Sequence, residues 1–169
     1  MHQEPWVVAG QGFSSRISGR LLAHCFVMMF LGFAGGFVWL IALADNVFHI
    51  LPLPRIEIVV PDQKELLRNA HTGPLMNAMY VMAMVALSSR VNFSVRQAKW
   101  VYYSAIVMLW GNLIGYSAAV YAPERGLQPV GDWPNLLSYA AFYAAVVGAT
   151  IATAIFLNNA LREARRKHA

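Results

Sequence analysis

Four stretches of this chain, residues 21–44, 70–89, 100–121 and 136–160, contain no Asp, Glu, Lys or Arg. Each is close to the roughly 20 residues that an α-helix needs to cross the hydrocarbon of a bilayer. Nothing else in the sequence constrains the fold as tightly. Soluble domains are about a quarter charged, whereas here 12% of residues are charged and 58% are hydrophobic. A soluble core of this size could not hide so much apolar surface. The pattern predicts an all-α integral membrane protein, one domain over residues 1–169, with four transmembrane helices in an antiparallel bundle. The first stretch is too long for the apolar part of a signal peptide and lacks a clean small-residue cleavage site, so it is expected to stay as a helix.

Lys and Arg are spread unevenly around these stretches. Arg16 and Arg20 precede the first; Arg90, Arg96 and Lys99 separate the second from the third; Arg162, Arg165, Arg166 and Lys167 follow the fourth. The other two connections mix both signs, with Arg55, Lys64, Arg68 and Arg125 among Asp45, Glu57, Asp62, Glu65, Glu124 and Asp132. The positive-inside rule then places both termini in the cytoplasm, for a multi-pass protein of a bacterial-type inner membrane. Topology accounts for the net charge of +5. The tail "REARRKHA" reads as an anchor at the bilayer surface, and nucleic acid is not an expected partner.

The connection 45–69 is the longest. Its "LPLPRIEIVVP" is too rich in proline for a helix and predicts an extended outer cap with a short strand at 56–60. The tight connection at 90–99 makes the second and third helices a hairpin. "APERGLQPVGDWPN" is dense in turn formers and lies outside. Trp100, Tyr102 and Tyr103 fall at the inner interface, Tyr121 and Trp133 at the outer one. Gly32 with Gly36, and Gly111 with Gly115, are GxxxG pairs, which serve close helix approach or association of copies. Cys25 is the only cysteine, so no intramolecular disulfide forms, and a packing role is expected of it.

Polar side chains inside hydrocarbon are expensive and tend to mark function. His71 stands at the outer mouth of the second stretch, with Asn77 about 9 Å deeper at 1.5 Å per residue. Pro74 is expected in the first helical turn, where a missing N–H costs little. Asn112 and Tyr116, four apart on one face of the third helix, fall in the same outer half, and Tyr80 continues the Asn77 face. Interhelical hydrogen bonding is a competing explanation for such residues. His2 and His168 are in the tails, and His24, near the inner end of the first helix, is too far from His71 to share a metal with it. His49 could meet His71. No HExxH, CxxC, Walker or GxGxxG pattern occurs.

"AHTGPLMN" (His71, Gly73, Pro74, Asn77) resembles the AHSGPxLN segment of styrene oxide isomerases. "WGNLIGY" (Trp110, Asn112, Tyr116) resembles their WANxxxY segment, and "APERGL" (Pro123, Arg125, Gly126) is similar to their PNRGL turn. The first twenty or so residues and the 45–69 connection lie outside the resemblance. It implies a membrane-embedded homotrimer with haem b near subunit interfaces, converting an aryl epoxide such as styrene oxide to the aldehyde by a Meinwald rearrangement. His71 would be the axial ligand of ferric haem, with Trp110 and Arg125 as further cofactor-binding residues. Asn77, Asn112 and Tyr116 would be catalytic. On an ideal helix His71 and Asn77 point about 120° apart, which suits a haem held between two copies better than a one-faced metal cluster. Two rival readings remain: a haem electron carrier ligated by His71 and His49, and a haem-free scaffold or transporter subunit.

Overall fold

The computed structural model describes residues 6–8, 12–49, 52, 54–122 and 124–166. His2, Pro123, Lys167 and His168 lie outside them. The chain is all-helical in its main elements: α1 (Ser15–Leu43), α2 (Lys64–Leu87), α3 (Val95–Ala119) and α4 (Trp133–Arg166). Two short antiparallel ribbons accompany them, β1 (Val7–Val8) with β2 (Gly12–Phe13), and β3 (Val47–Phe48) with β4 (Ile56–Glu57).

Local chemistry sets the helix ends. Ser14 caps α1, its hydroxyl accepting from the Ile17 N–H, and Ser94 with Gln97 forms a reciprocal capping box at α3, each satisfying N–H groups that the first turn leaves orphaned. At the end of α1, Asp45 and Asn46 turn left-handed at φ 51° and 65°, a conformation these two residue types tolerate. The chain then enters β3, whose pairing with β4 places part of the expected strand, at 56–57 rather than 56–60.

α2 differs from the expectation. It starts at Lys64, so "KELLRN" is helical and not part of the outer loop. Leu66 and Leu67 are buried there against Ala42 of α1 and Val120, and that packing outweighs the polarity that hid the turn from a hydropathy reading. Pro74 consequently sits ten residues into the helix rather than in its first turn. It removes the N–H that would have bonded to the Ala70 carbonyl. That carbonyl lies against Gly35 of α1, 3.2 Å from where a Cβ would be.

Glycines set the helix pairings. Along α1, Gly32 lies beside Leu75 and Gly36 beside His71, so α1 and α2 run in opposite directions. Along α3, Gly111 meets Ala141 and Ala145 and Gly115 meets Phe142, while Gly148 of α4 meets Ser104, so α3 and α4 do the same. Both GxxxG pairs are thus used for close approach within the chain. The core between the helices is led by Leu21, Met28, Val81, Val101 and Leu109, with Cys25 fully buried among them.

α1 and α4 are long and apolar enough to cross a membrane, and only 22% and 17% of their most apolar windows are buried. A soluble core helix would bury most of that surface; these turn it outward. α2 and α3, at 24 and 25 residues, are long enough to span. Residues such as His71, Pro74, Asn77 and Asn112 lower their apolar character.

The connection between α3 and α4 is fastened by one side chain. Asn135, fully buried, accepts from the Gly126 N–H at 2.8 Å and donates to the carbonyls of Gln128 (2.8 Å) and Val130. Ser138 beside it donates to the Gly115 carbonyl at 2.8 Å. Asn135→Ala leaves these backbone groups unpaired, and each orphaned buried group costs about 1–3 kcal/mol. The variant is expected to unfold several degrees lower in detergent than wild type, while Leu136→Ala, at a more exposed position, should stay within a degree or two.

Candidate active site

His71 owes its position to three missing side chains. A methyl at Gly32 would come within 3.0 Å of Leu75, at Gly35 within 3.2 Å of the Ala70 carbonyl, and at Gly36 within 2.7 Å of His71 Nδ1. With glycine at all three, α2 lies directly on the α1 backbone and the imidazole reaches it. Nδ1 lies 2.8 Å from the Gly32 carbonyl oxygen. A carbonyl only accepts, so Nδ1 carries the proton and in the neutral ring Nε2 keeps the lone pair. Metal-ligating histidines are typically oriented in this way, by a hydrogen bond from the other nitrogen. Trp39 covers one face of the ring, centroids 6.0 Å apart and planes 24° from parallel. His71 opens on a groove of about 310 Å³ lined otherwise by Phe33, Gly36, Phe37, Trp39 and Leu40. Its Nε2 has no hydrogen-bond partner among the described residues, and no other group lining the groove carries a lone-pair nitrogen.

The second part of the site lies on another face of α2. Tyr116 of α3 stands on Gly73, its ring filling the space a Cβ would need, and meets Phe142 edge-on at 4.9 Å. Asn77 is one turn along α2 from Gly73, and Asn112 one turn back along α3 from Tyr116. Because the two helices run oppositely, this brings Asn77 and Asn112 to the same level. Both amides are half-buried. Neither they nor the Tyr116 hydroxyl has a hydrogen-bond partner among the described residues, which is costly for polar groups held in apolar surroundings. Tyr80 behaves differently. Its hydroxyl lies 2.6 Å from Thr153 Oγ1, and since Thr153 gives its proton to the Ala149 carbonyl, Tyr80 is the donor. Tyr80 thus bonds between helices, whereas the Asn77–Asn112–Tyr116 group makes no such bond among the described residues.

Trp110 and Arg125 take other partners. The Trp110 indole N–H donates to His24 Nδ1 at 3.3 Å, joining α3 to α1. Arg125, left-handed at φ 54°, pairs with Glu65 in the first turn of α2 at 3.6 Å. Both partners are more than half exposed, so the pair contributes little stability, but it keeps the guanidinium at the His71 end of α2. His49 is exposed. Among the described residues no three His, Cys, Asp or Glu side chains gather as a metal site. Nothing in the sequence pattern distinguishes Trp39 from an interface aromatic, and nothing in it shows that His24 meets Trp110.

Residues 17–161 match the sequence profile of styrene oxide isomerases. The chain belongs to that family. The styrene-oxide isomerase of Pseudomonas fluorescens is 26% identical over 115 residues, which make up 68% of this chain and 65% of that protein. The match spans a little under two thirds of the relative's length. The family region includes every residue of both half-sites, His71 with its α1 glycines and the Asn77–Asn112–Tyr116 group.

Gly36→Val should separate these two parts. The added methyls would displace the His71 ring from the Gly32 carbonyl while leaving Tyr116 on Gly73. The expected result is a protein that still reaches the membrane but has lost the function of His71. Gly19→Ala, where a Cβ meets nothing within 4 Å, should be without effect.

Proposed function

We propose that this chain is a membrane-bound epoxide isomerase, converting an aryl epoxide such as styrene oxide to the corresponding aldehyde with the help of ferric haem b. Family membership over residues 17–161 carries the reading, and the unpartnered Asn77–Asn112–Tyr116 group supports it. The four helices would each span the inner membrane, with both termini and the 88–94 connection in the cytoplasm.

The residues present fit the cofactor. His71, oriented through Nδ1 and offering Nε2 to an apolar, aromatic groove, would hold the haem iron, and Arg125, at the same end of α2, would pair with its propionates. When bound, the ferric iron would supply Lewis acidity towards the epoxide oxygen. Phe33, Phe37 and Leu40 are more than half exposed on the groove's rim, which suits closure by a neighbouring copy, and a homotrimer is the assembly that the resemblance implies. Trp110, fixed by His24, would support α3 behind Asn112.

The chain's own residues then have defined tasks. Asn77, Asn112 and Tyr116 would orient the epoxide and donate hydrogen bonds where negative charge develops on its oxygen. Losing one such donor typically costs about 10²–10³ in rate. The benzylic C–O bond breaks and the oxygen keeps the electron pair. A hydride then moves, with its electrons, from the oxygen-bearing carbon to the benzylic carbon as the C=O bond forms. No atom, proton or electron is gained or lost. Apolar walls would exclude the water that would otherwise convert the cation to a diol.

Purified protein given aryl epoxide labelled with deuterium on the migrating position should yield aldehyde that retains the label, with no electron donor added. Loss of label to water would point to an enol route. Tyr116→Phe should keep its pigment and turn over about a hundredfold more slowly, whereas His71→Ala should lose the pigment. A colourless wild-type protein would refute the haem, and a six-coordinate low-spin spectrum would favour an electron carrier. Reporter fusions should place Val91 in the cytoplasm and Gln128 outside; the same side for both would end the four-span topology.

A further inference from the structure

The inner end of α3 carries a feature that the isomerase reading leaves unused. Arg96, Trp100, Tyr103 and Val107 follow one another at spacings of four, three and four, so they share a face of the helix. Two adjoining cavities open on that face. One, of about 210 Å³, is lined by Arg96, Lys99, Trp100 and Tyr103. The other, of about 400 Å³, shares Trp100 and Tyr103 with it and continues between α3 and α4 past Val107 and Val147. Its floor is made of small residues. A methyl on Gly148 would lie 2.6 Å from the Ser104 carbonyl, so the two helices touch at the bottom while Trp100, Tyr103 and Tyr143, all more than half exposed, stand above it. The result is a trough, cationic at its inner end and apolar along the rest.

We propose that this trough binds an anionic phospholipid of the inner leaflet, its phosphate against Arg96 and Lys99 and one acyl chain along the α3–α4 groove. The inference rests on the membrane topology proposed above. Charge favours it: neither basic residue has a carboxylate partner among the described residues, whose ion pairs are Lys64–Asp45, Arg125–Glu65 and Arg166–Glu163. No acidic side chain lines either cavity. The Lys99 ammonium is also held in place, 5.4 Å over the Trp6 ring, which itself stands edge-on to Tyr102 at 5.5 Å. Length agrees as well. The eleven steps from Arg96 to Val107 rise about 16 Å, close to half of the roughly 30 Å hydrocarbon thickness and so to one leaflet's depth. A topology anchor needs charge alone; a charge pair leading into an apolar trough one leaflet deep matches a whole lipid.

The test is native mass spectrometry of the full chain in detergent, titrated with phosphatidylglycerol and, separately, with phosphatidylcholine of identical acyl chains. Wild type should retain phosphatidylglycerol preferentially. A basic residue at an anionic surface contributes about fivefold in affinity, so Arg96→Gln/Lys99→Gln should reduce the preference by up to about thirtyfold. Arg165→Gln/Arg166→Gln should leave it unchanged, and Val147→Trp, which fills the trough from an exposed position, should reduce retention of both lipids. An undiminished preference in Arg96→Gln/Lys99→Gln overturns the proposal. So does a Val147→Trp protein that keeps its lipids but changes oligomeric mass, since the trough would then be a contact between copies. Membrane fractionation and epoxide turnover of wild type and Arg96→Gln/Lys99→Gln distinguish the failures. Wild type absent from the membrane fraction overturns the membrane reading with the lipid site. A membrane-bound, inactive wild type that prefers phosphatidylglycerol overturns the isomerase reading and supports the lipid site.

Discussion

The rest of the structure depends on how closely α1 and α2 approach at Gly32, Gly35 and Gly36. Helices in hydrocarbon gain little from burying apolar surface against one another, so contact distance and van der Waals fit decide which faces pair. Three missing side chains bring the α1 backbone within reach of a ring on α2, and one hydrogen bond from His71 to the Gly32 carbonyl then fixes both the rotamer and the tautomer. Such a bond contributes about 0.6 kcal/mol between membrane helices; the seam around it contributes more. The same contact sets the rotation of α2 about its axis. With His71 turned to α1, Gly73 is turned to α3, where its own missing side chain admits Tyr116. Glycines thus make α2 the element read from both sides.

Polar residues in the bundle fall into two groups. Asn135, Ser138, Tyr80 and Trp110 each have a named partner on the far side of a helix or loop junction, and interhelical bonding accounts for them in full. Asn77, Asn112 and Tyr116 have none among the described residues. Hydrogen bonding within one chain explains the first group and leaves the second without a partner among the described residues. Under the proposed function these amides would stand where water is scarce, and the epoxide oxygen would compensate the cost of leaving them unpaired.

Hydropathy made α1 and α4 legible, because continuous apolar runs need only to be counted. It misplaced the start of α2, since Lys64, Glu65 and Arg68 look like loop although Leu66 and Leu67 are buried beneath them. Pro74 was misplaced with it: proline at a helix start is the common case, and only the burial of the preceding turn shows that the helix began earlier. The β1–β2 ribbon had no sequence signal. Trp6 and Phe13 find their partners Tyr102, Phe93 and Phe156 far along the chain, and periodicity is blind to such contacts. Of the candidate site, the sequence made legible the residue types and the common level of Asn77, Asn112 and Tyr116. What pattern could not supply was direction: that Gly36 faces His71, that Trp39 covers it, and that Trp110 turns to His24.

The division of labour among the helices follows from what the proposed chemistry asks. A rearrangement that moves one hydride within one molecule needs no second substrate, no electron donor and no proton path to water. It needs an acidic centre for the oxygen, a few donors to hold it, and dry walls. A carrier passing electrons would need a second axial ligand and a route to a partner. Four helices can meet the smaller set of needs without a soluble domain, provided that the polar residues are concentrated where neighbours shield them. That is the arrangement seen. The most apolar helices, α1 and α4, turn most of their surface outward, while α2 and α3, the two that carry His71, Asn77, Asn112 and Tyr116, pack mainly on α1 and on α4 respectively and meet each other over a smaller contact. Under the proposed function their lower hydropathy is the cost of carrying a site, and the outer pair would make it tolerable in hydrocarbon.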